Sequence, residues 1–571
     1  MRSENWEIGE FNRDTAVSFC RNGVNPLVSV FLAARGIKNM DEVNAVIGDD
    51  FQKFHDPYLM TDMNKAVERI NTAVKNNEKI AVYGDYDVDG MTSTAILALW
   101  LNEKKADFEI YIPGRFDEGY GLNNHALDLL KSRNTDLVIT VDCGITAIEE
   151  AIHAETIGLD LIITDHHECR DVLPKAYAVV DPKRHDCNYP YKSLAGVGVA
   201  FKLVCALEND WLSNEIFDKY SELVATGTVA DVMPVTGENR ELIKRGLHVL
   251  NTHPRPGLRQ LLREVNSEPG KITATTIGFI IAPRLNAAGR MGKTELSVDL
   301  LLTENLDEAD SLAGELCRLN NERRDLELKI YDDAMAMLGK TAPAGPVILA
   351  QHGWYQGVTG IVAAKMAERF NLPVIIISID DDGIGRGSCR SCGSFAVYDA
   401  LCRCEDILEN YGGHEMAAGV TVAEKNIDDL KKRITAHYNE STVGVPAPSL
   451  KIDFEVEKPE LLSIPNIEAL EHLEPFGNGN PHPRLCMLDT QVTSIQSIGA
   501  GKHSKLKIEK SGKQIDCIFF SVPAEDLGVS EGAFANIAFE PQVNEFRGRS
   551  NVQLQLVDIK PVHLINEDKH D

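Results

Sequence analysis

The segment Lys79-Ile80-Ala81-Val82-Tyr83-Gly84-Asp85-Tyr86-Asp87-Val88-Asp89-Gly90 decides how this chain is read. Its first five residues are mainly apolar and have the length of a buried strand. Met91 to Leu101, just beyond, is apolar, free of Pro and Gly, and reads as a helix. Three carboxylates at alternate positions therefore sit on a short turn between strand and helix. So placed they repel one another, and packing gains nothing from them. A divalent cation with oxygen ligands removes that penalty. A solvated acidic turn is the other reading, because Asp and Gly are ordinary loop residues. The rest of the chain favours the metal.

From 51 to about 250, apolar strands alternate with helical patterns, the signature of a parallel α/β sheet. Strands are expected at Lys79–Tyr83, Phe108–Ile112, Leu137–Val141, Leu159–Thr164 and Ala176–Val180. Leu137–Val141 delivers Asp142, followed by Cys143-Gly144, and Leu161–Thr164 delivers Asp165-His166-His167. The carboxyl ends of parallel strands share one edge, where open α/β sheets bind ligands. Asp87, Asp89, Asp142 and His166 are thus expected to converge, and a mixed Asp/His set suits Mn2+ best and Mg2+ next. Taken singly, Asp142 also fits a helix N-cap and His166 a satisfied core histidine; three strand ends of the same character argue for the site. A further acid, Asp231, ends the apolar segment Glu222–Pro234. Apolar surroundings would raise its pKa unless a cation sat opposite; a helix-ending acid before Pro234 fits that segment equally well.

A length of 571 residues suggests three to four domains, and 43% hydrophobic content supports full cores. Met1-Arg2-Ser3-Glu4-Asn5-Trp6 lacks the basic start and apolar run of a signal peptide, and no apolar run reaches membrane-spanning length. A soluble cytoplasmic protein without a membrane partner is expected, its 12 cysteines reduced. Cys389, Cys392, Cys402 and Cys404 are the densest group, but a C-x-C pair inside an expected helix is a poor zinc pattern. A net charge of −28 argues against coating duplex DNA by bulk charge. It leaves room for a narrow groove with local arginines and metal ions.

Outside the central sheet, residues 1–50 read as a helical lead-in, with a helix from Pro26 ending at Gly36. Arg115, in the segment Tyr111–Gly121, fits a phosphate fork or a surface salt bridge. Pro283-Arg284-Leu285-Asn286-Ala287-Ala288-Gly289-Arg290 places two arginines among small residues that let a phosphate backbone approach. Residues 305–339 read as one helix of roughly 50 Å, its polar middle, Asn320–Asp325, suiting a solvent-bridging connector. A second α/β unit follows at about 345–440, with strands at Val347–Ala350 and Val374–Ser378 and a glycine-punctuated helix start at Gly357–Lys365. Gly387-Ser388-Cys389-Arg390-Ser391 and the Gly412–Gly419 run containing His414 read as glycine-rich turns able to hold a terminal phosphate. After a linker at 441–448, the chain end is β-rich. There, Lys502–Lys507 and Phe546-Arg547-Gly548-Arg549 suit either a barrel that grips a single strand or a solvated hairpin face.

The run Asp85-Tyr-Asp-Val-Asp-Gly90, then Val141-Asp142-Cys143-Gly144, Asp165-His166-His167 and Gly227-Thr-Val-Ala-Asp231, resembles in order and spacing the four motifs of the DHH phosphoesterase superfamily. The later segments resemble its RecJ exonuclease branch, including Glu474-Pro475-Phe476-Gly477-Asn478-Gly479-Asn480-Pro481, whose role the sequence does not reveal. Tyr83 stands where the pyrophosphatase branch has a metal-binding histidine. The resemblance implies two α/β domains, DHH at 51–300 and DHHA1 at 343–445, joined by a long helix at 301–342, with an OB-like β-barrel at 449–571. It implies a single-strand-specific 5′→3′ DNA exonuclease acting through metal-activated water, with one or two Mn2+ or Mg2+ ions on Asp87, Asp89, Asp142, His166 and Asp231. His167, Asp85, Arg284 and Arg290 would serve catalysis, and Arg115, Asn286, Ser388, Arg390, Ser391 and His414 would bind the strand and seat its 5′ end. A passage between the α/β units too narrow for a duplex would select single strands. Single-stranded DNA, a single-strand-binding protein and a RecQ-type helicase are the implied partners of a monomer. The alternatives are an oligoribonucleotide or cyclic-dinucleotide phosphodiesterase, and a non-catalytic DNA-binding scaffold, although every metal-site acid is present.

Overall fold

The computed structural model describes residues 5–48, 54–116, 118–119, 121–339, 341–393, 395–441, 449–546 and 548–562. They fall into two compact units, one of Phe51–Thr442 with Pro475–Asn480, the other of Met1–Asp50, Val443–Glu474 and Pro481–Asp571. No described helix is long and apolar enough to cross a membrane.

The first unit begins with a five-stranded sheet, β1 (Ile80–Tyr83), β2 (Phe108–Tyr111), β3 (Leu137–Val141), β4 (Asp160–Thr164) and β5 (Ala178–Val180), all parallel in the order 2-1-3-4-5. Strand residues alternate between two cores: Ile80, Val82, Leu137 and Ile139 pack on one face, Ala81, Tyr83 and Val138 on the other. Covering both faces explains why these strands read as unbroken apolar runs. The chain reverses direction across the sheet between β1 and β3, so the loops after them part and leave a crevice at the carboxyl edge. Helix α1 (Val88–Glu103) leaves β1 through the acidic turn. It packs against α2 (Gly196–Glu208) and α3 (Asn214–Ala230), and α4 (Gly237–Thr252) lies along α3.

Helix α5 (Ala282–Arg290) precedes the 33-residue α6 (Leu306–Leu338). The expectation of a solvent-bridging middle in α6 is corrected at two of its six residues; Asn321, Glu322, Arg324 and Asp325 are exposed. Asn320 is buried, and Arg323 pairs with Glu327 at 3.0 Å with only 11% of its side chain exposed. One side of the middle of the helix is therefore packed and the other faces solvent.

A mixed sheet follows, of β6 (Val347–His352), β7 (Val374–Ile379), β8 (Ile384–Arg390), β9 (Leu408–His414) and β10 (Ala417–Ala423) in the order 9-10-8-7-6, with α7 (Gln356–Phe370) between β6 and β7. Here a second expectation is corrected. Gly387 to Arg390 lie in β8 and Gly412 to His414 in β9; neither is a glycine-rich turn. At Gly387 the need is close packing: a Cβ there would come within 2.8 Å of Val420 and 2.9 Å of Ile377. Composition alone does not separate that need from turn formation.

In the second unit, strands β11 (Leu485–Ile498), β12 (His503–Lys510), β13 (Lys513–Phe519), β14 (Phe534–Phe546) and β15 (Arg549–Pro561) close into a barrel in the order 11-12-13-15-14, with β14 returning to β11. The lead-in belongs to this unit: Trp6–Ile8 pairs in parallel with Leu450–Ile452, and Arg35 bridges Asp453 at 2.9 Å. The basic stretch around Lys505 lies on β12, whereas Arg547 and residues 442–448 of the expected linker are outside the described residues.

Helices α2 and α4 are tied by a buried ion pair. Lys202 donates to Glu238 at 2.6 Å and to His55 O at 2.9 Å, and Tyr189 donates its hydroxyl to Glu238 at 2.6 Å. Removing one partner of a desolvated pair strands the other charge. Lys202→Met is therefore expected to lower unfolding free energy by about 3–5 kcal/mol, read from the midpoint of urea denaturation.

Candidate metal centre

The carboxyl edge of the parallel sheet gathers the four acidic motifs. Asp85 and Asp87 lie in the turn after β1, where Asp87 caps α1 by accepting from Gly90 N–H at 3.0 Å. Asp89 occupies the first turn of α1 and accepts from Gly196 N–H at 2.7 Å and Val197 N–H at 2.8 Å, the start of α2. Asp142 follows β3; its N–H extends the ladder to Thr164 O at 3.0 Å, and its φ of 62° is left-handed. A non-glycine residue there is strained, and such strain persists only where the surroundings hold it. His166 and His167 follow β4, and Asp231 caps the carboxyl end of α3.

These residues meet. His166 Nε2 lies 3.1 Å from Asp142 Oδ1, 3.6 Å from Asp231 Oδ2 and 3.7 Å from Asp89 Oδ2. Ligand atoms of Asp89, His166 and Asp231 lie within 4.8 Å of one another, as do those of Asp85, Asp87 and Asp142. Asp142 approaches His166 as well as the second set, so the two groups are contiguous.

The electrostatics show what the cluster lacks. Burial, followed by repulsion from neighbouring carboxylates, raises Asp85, Asp89 and Asp142 well above the ordinary carboxylate range. Burial and Asp87 lift Asp231 to about 7. Burial, reinforced by His167, lowers His166 to about 3, leaving a neutral imidazole among acids. Asp85 Oδ1 is buried without a hydrogen-bond donor. Oxygen-rich donors, one neutral imidazole and an unsatisfied buried carboxylate oxygen fit a divalent cation of the Mn2+ or Mg2+ kind. The site is also shaped for close approach. A Cβ on Gly196 would fall 2.4 Å from Asp142 Oδ1, and one on Gly227 would fall 3.0 Å from Asp89 Oδ1.

His167 is held differently. Asp165 Oδ1 lies 2.7 Å from its Nδ1 and also accepts the backbone N–H of His166 at 2.7 Å, while Oδ2 accepts Ile145 N–H at 2.9 Å. Burial opposes charge on His167, but the Asp165 hydrogen bond and charge prevail and raise it to about 9. It is therefore a cation at neutral pH beside the carboxylates. Asp165 itself sits below its ordinary value: burial would raise it, and the hydrogen bond and charge of His167 outweigh that.

The expected phosphate-binding residues divide into two groups. Arg115, whose guanidinium lies 4.7 Å over the Tyr86 ring, stands close enough to Arg290 and Arg390 to be felt by both. Burial and repulsion from Arg115, Arg323 and Arg390 lower Arg290 to about 9. Arg290 donates to Gly357 O at 3.2 Å, and Tyr355 donates to Arg290 O at 3.0 Å, joining α5 to the start of α7. Ser388 Oγ lies 3.1 Å from Thr359 Oγ1, and a Cβ on Gly360 would meet Arg390 at 3.1 Å, so both residues stand over the first turn of α7. Arg284, in contrast, donates to Ile280 O at 2.7 Å and contacts Cys317 on α6. Asn286 is half-buried in the middle of α5. Ser391 turns its hydroxyl to Phe395 O. His414 is exposed at the end of β9, two strands from Arg390 in register.

Two buried acids of this edge, Asp165 and Asp181, are given no place of their own by the sequence reading. Asp181 follows β5 just as Asp142 follows β3, and burial with Asp165 nearby raises it to about 8. Its signal, an apolar strand ending in an acid, is present in Ala178–Asp181.

Three domain families match the chain: the DHH family, N-terminal domain, over residues 79–228, the DHHA1 domain over 344–440 and the RecJ OB domain over 452–558. The single-stranded-DNA-specific exonuclease RecJ of Bacillus subtilis (strain 168) is 38% identical over 564 residues, 97% of this chain and 70% of that protein. Its namesake in Escherichia coli (strain K12) is 34% identical, covering 94% of this chain and 96% of that one. The crystal structure of RecJ with Mn2+ from Thermus thermophilus superimposes with a TM-score of 0.83 at 28% identity, over 98% of this chain and 80% of that chain. A second structure from the same organism, with Mg2+, gives 0.78 at 27% identity over 98% and 79%. With these motifs at one sheet edge and this likeness along nearly its whole length, the chain belongs to the RecJ family of DHH phosphoesterases.

Proposed function

We infer that this protein is a metal-dependent, single-strand-specific 5′→3′ DNA exonuclease that releases 5′-nucleotides in DNA repair and recombination. The observation that carries the reading is the juxtaposition of a crowded carboxylate–histidine cluster with a group of mutually repelling arginines. The first calls for cations and the second for phosphates. The phosphodiesterase alternative is not favoured, because the likeness to RecJ extends through the long helix and the C-terminal barrel.

Asp87, Asp89, Asp142, His166 and Asp231 would hold one or two Mn2+ or Mg2+ ions, with Asp142 shared between the two groups of ligands and Asp85 adding its unsatisfied oxygen. Bound there, such ions lower the pKa of water and neutralise phosphoryl charge. The neutral imidazole of His166 offers a lone pair at Nε2. Protonated His167, fixed by Asp165, offers a hydrogen bond to a non-bridging phosphate oxygen as negative charge develops. Arg290 and Arg115 take up backbone phosphates beside Asp87. Arg390 and Ser388 seat the 5′ phosphate over the first turn of α7, where backbone N–H groups favour anions. Arg284, turned toward Ile280 and Cys317, supports the fold of α5 rather than the reacting phosphate, and His414 lies outside this constellation. The same reading makes the protein a cytoplasmic monomer that meets single-stranded DNA alongside a single-strand-binding protein and a RecQ-type helicase.

A 3′-labelled, 5′-phosphorylated single strand should shorten from its 5′ end with Mn2+ and persist with chelator, while duplex DNA and RNA are spared. Asp142→Asn should lower the rate by about 10³-fold, the loss of several kcal/mol of charge stabilisation. Long RNA as the preferred substrate would overturn the reading. Mn2+ at about 100 times its dissociation constant should stabilise the fold by about 2.7 kcal/mol, seen as a rise in Tm that EDTA reverses and Asp142→Asn abolishes. Arg390→Ala should raise KM for 5′-phosphorylated strands roughly tenfold or more, since a charged hydrogen bond contributes about 1.5–3 kcal/mol. Strands with a 5′ hydroxyl should be little affected; equal losses on both would remove Arg390 from the 5′ site.

A further inference from the structure

The cap that carries Asp231 is strained. Val232 N–H donates to Val229 O and Met233 N–H to Thr228 O, each at 3.2 Å. This is the paired pattern that closes a helix through a left-handed residue, a place usually filled by glycine. Here the residue is Val232, with φ of 56° and 66% of its surface exposed. A β-branched residue disfavours that conformation, which therefore has to be held by its surroundings.

What holds it is a turn 246 positions further along the chain. Asn478 Nδ2 donates to Val232 O at 2.9 Å, and Val235 N–H donates to Asn478 O at 2.7 Å, so one residue grips both ends of the loop after Asp231. The turn is itself closed by Gly477 N–H to Asn480 O at 2.9 Å and Asn480 N–H to Gly477 O at 3.1 Å, and Arg240 on α4 donates to Pro475 O at 3.3 Å. Gly477 lies so close that a Cβ there would stand 2.7 Å from Val235 Cγ2, on a side chain that is 3% exposed. The turn, Pro475–Asn480, lies in the same compact unit as Asp231.

We propose that the Pro475–Asn480 turn positions the metal site, with Asn478 clamping the strained Val232–Val235 loop so that the Asp231 carboxylate faces Asp89 and His166. Asn478 and Gly477 are positioning residues and touch no reacting atom. The proposal rests on Asp231 being a metal ligand.

The test is Mn2+ affinity of the full chain, stripped of metal, by isothermal titration and by the Mn2+ electron paramagnetic resonance signal. Outer partners of ligands typically govern about 10- to 100-fold in metal affinity. Asn478→Ala and Gly477→Ala should each weaken Mn2+ binding within that range. Val235→Ala, added to Gly477→Ala, should restore affinity by removing the methyl that the new Cβ strikes, although it deletes core packing; a merely destabilised fold would be worsened by it. Native affinity in both single variants, or no recovery in the double variant, overturns the proposal. Asp231→Asn separates the two claims. If it binds Mn2+ as tightly as the unsubstituted protein, the ligand assignment has failed; if it binds weakly while Asn478→Ala and Gly477→Ala bind normally, the clamp alone has failed.

Discussion

Like charge held at close quarters governs this molecule. Asp85, Asp87, Asp89, Asp142 and Asp231 converge on one edge of a parallel sheet, three of them buried, around a histidine kept neutral. No hydrophobic core gains from such an arrangement, and water cannot relieve it at that depth. The scaffold nevertheless fixes it firmly. The first turn of α2 donates two N–H groups to Asp89, small residues at 196 and 227 let carboxylates approach, and Asp142 and Val232 are held at φ near 60°. Strain and repulsion concentrated at one place, with the surrounding structure over-determining it, mark a site built to be completed by cations.

The arginines form the complementary half. Arg115, Arg290, Arg323 and Arg390 come from a loop, two helices and a strand that are far apart in sequence, and burial with the charge of the other three depresses the Arg290 guanidinium. The long helix α6 contributes Arg323 from the packed side of its middle and meets the middle of α7 through Lys365 and Glu327 at 3.4 Å. This reconciles a chain of net charge −28 with a nucleic-acid substrate. Bulk charge disfavours non-specific coating of a duplex, while a local set of arginines beside the carboxylate cluster offers the positive charge that suits a phosphate backbone.

Much of the central sheet was legible because both its faces are buried. Strands covered on two sides must be continuously apolar, and three of the acid or acid–histidine sets stand where such a run stops, while Asp231 ends a helix. The phosphate side was less legible. Gly387 and Gly412 suggest turns by composition, yet they lie in strands where packing admits no Cβ or where a sheet edge is open. In the polar middle of α6, Asn320 and Arg323 face packed neighbours while Asn321, Glu322, Arg324 and Asp325 are exposed, a division that composition does not show. Asp181 went unremarked because no second motif accompanies it.

The sequence by itself determined the chemistry available. Asp85, Asp87, Asp89, Asp142, His166, His167 and Asp231 are set by local pattern, since apolar runs and the residues that end them need no distant information. Tertiary structure decided which of the cationic residues join them. Arg290 and Arg390 are brought together, Arg284 turns toward Cys317, and His414 stays two strands away. It also decided that a turn at 475–480 grips the loop after Asp231. Those choices depend on where a helix start, a strand register and a backbone carbonyl lie in space. Contacts between residues hundreds of positions apart leave no periodicity in the chain that makes them.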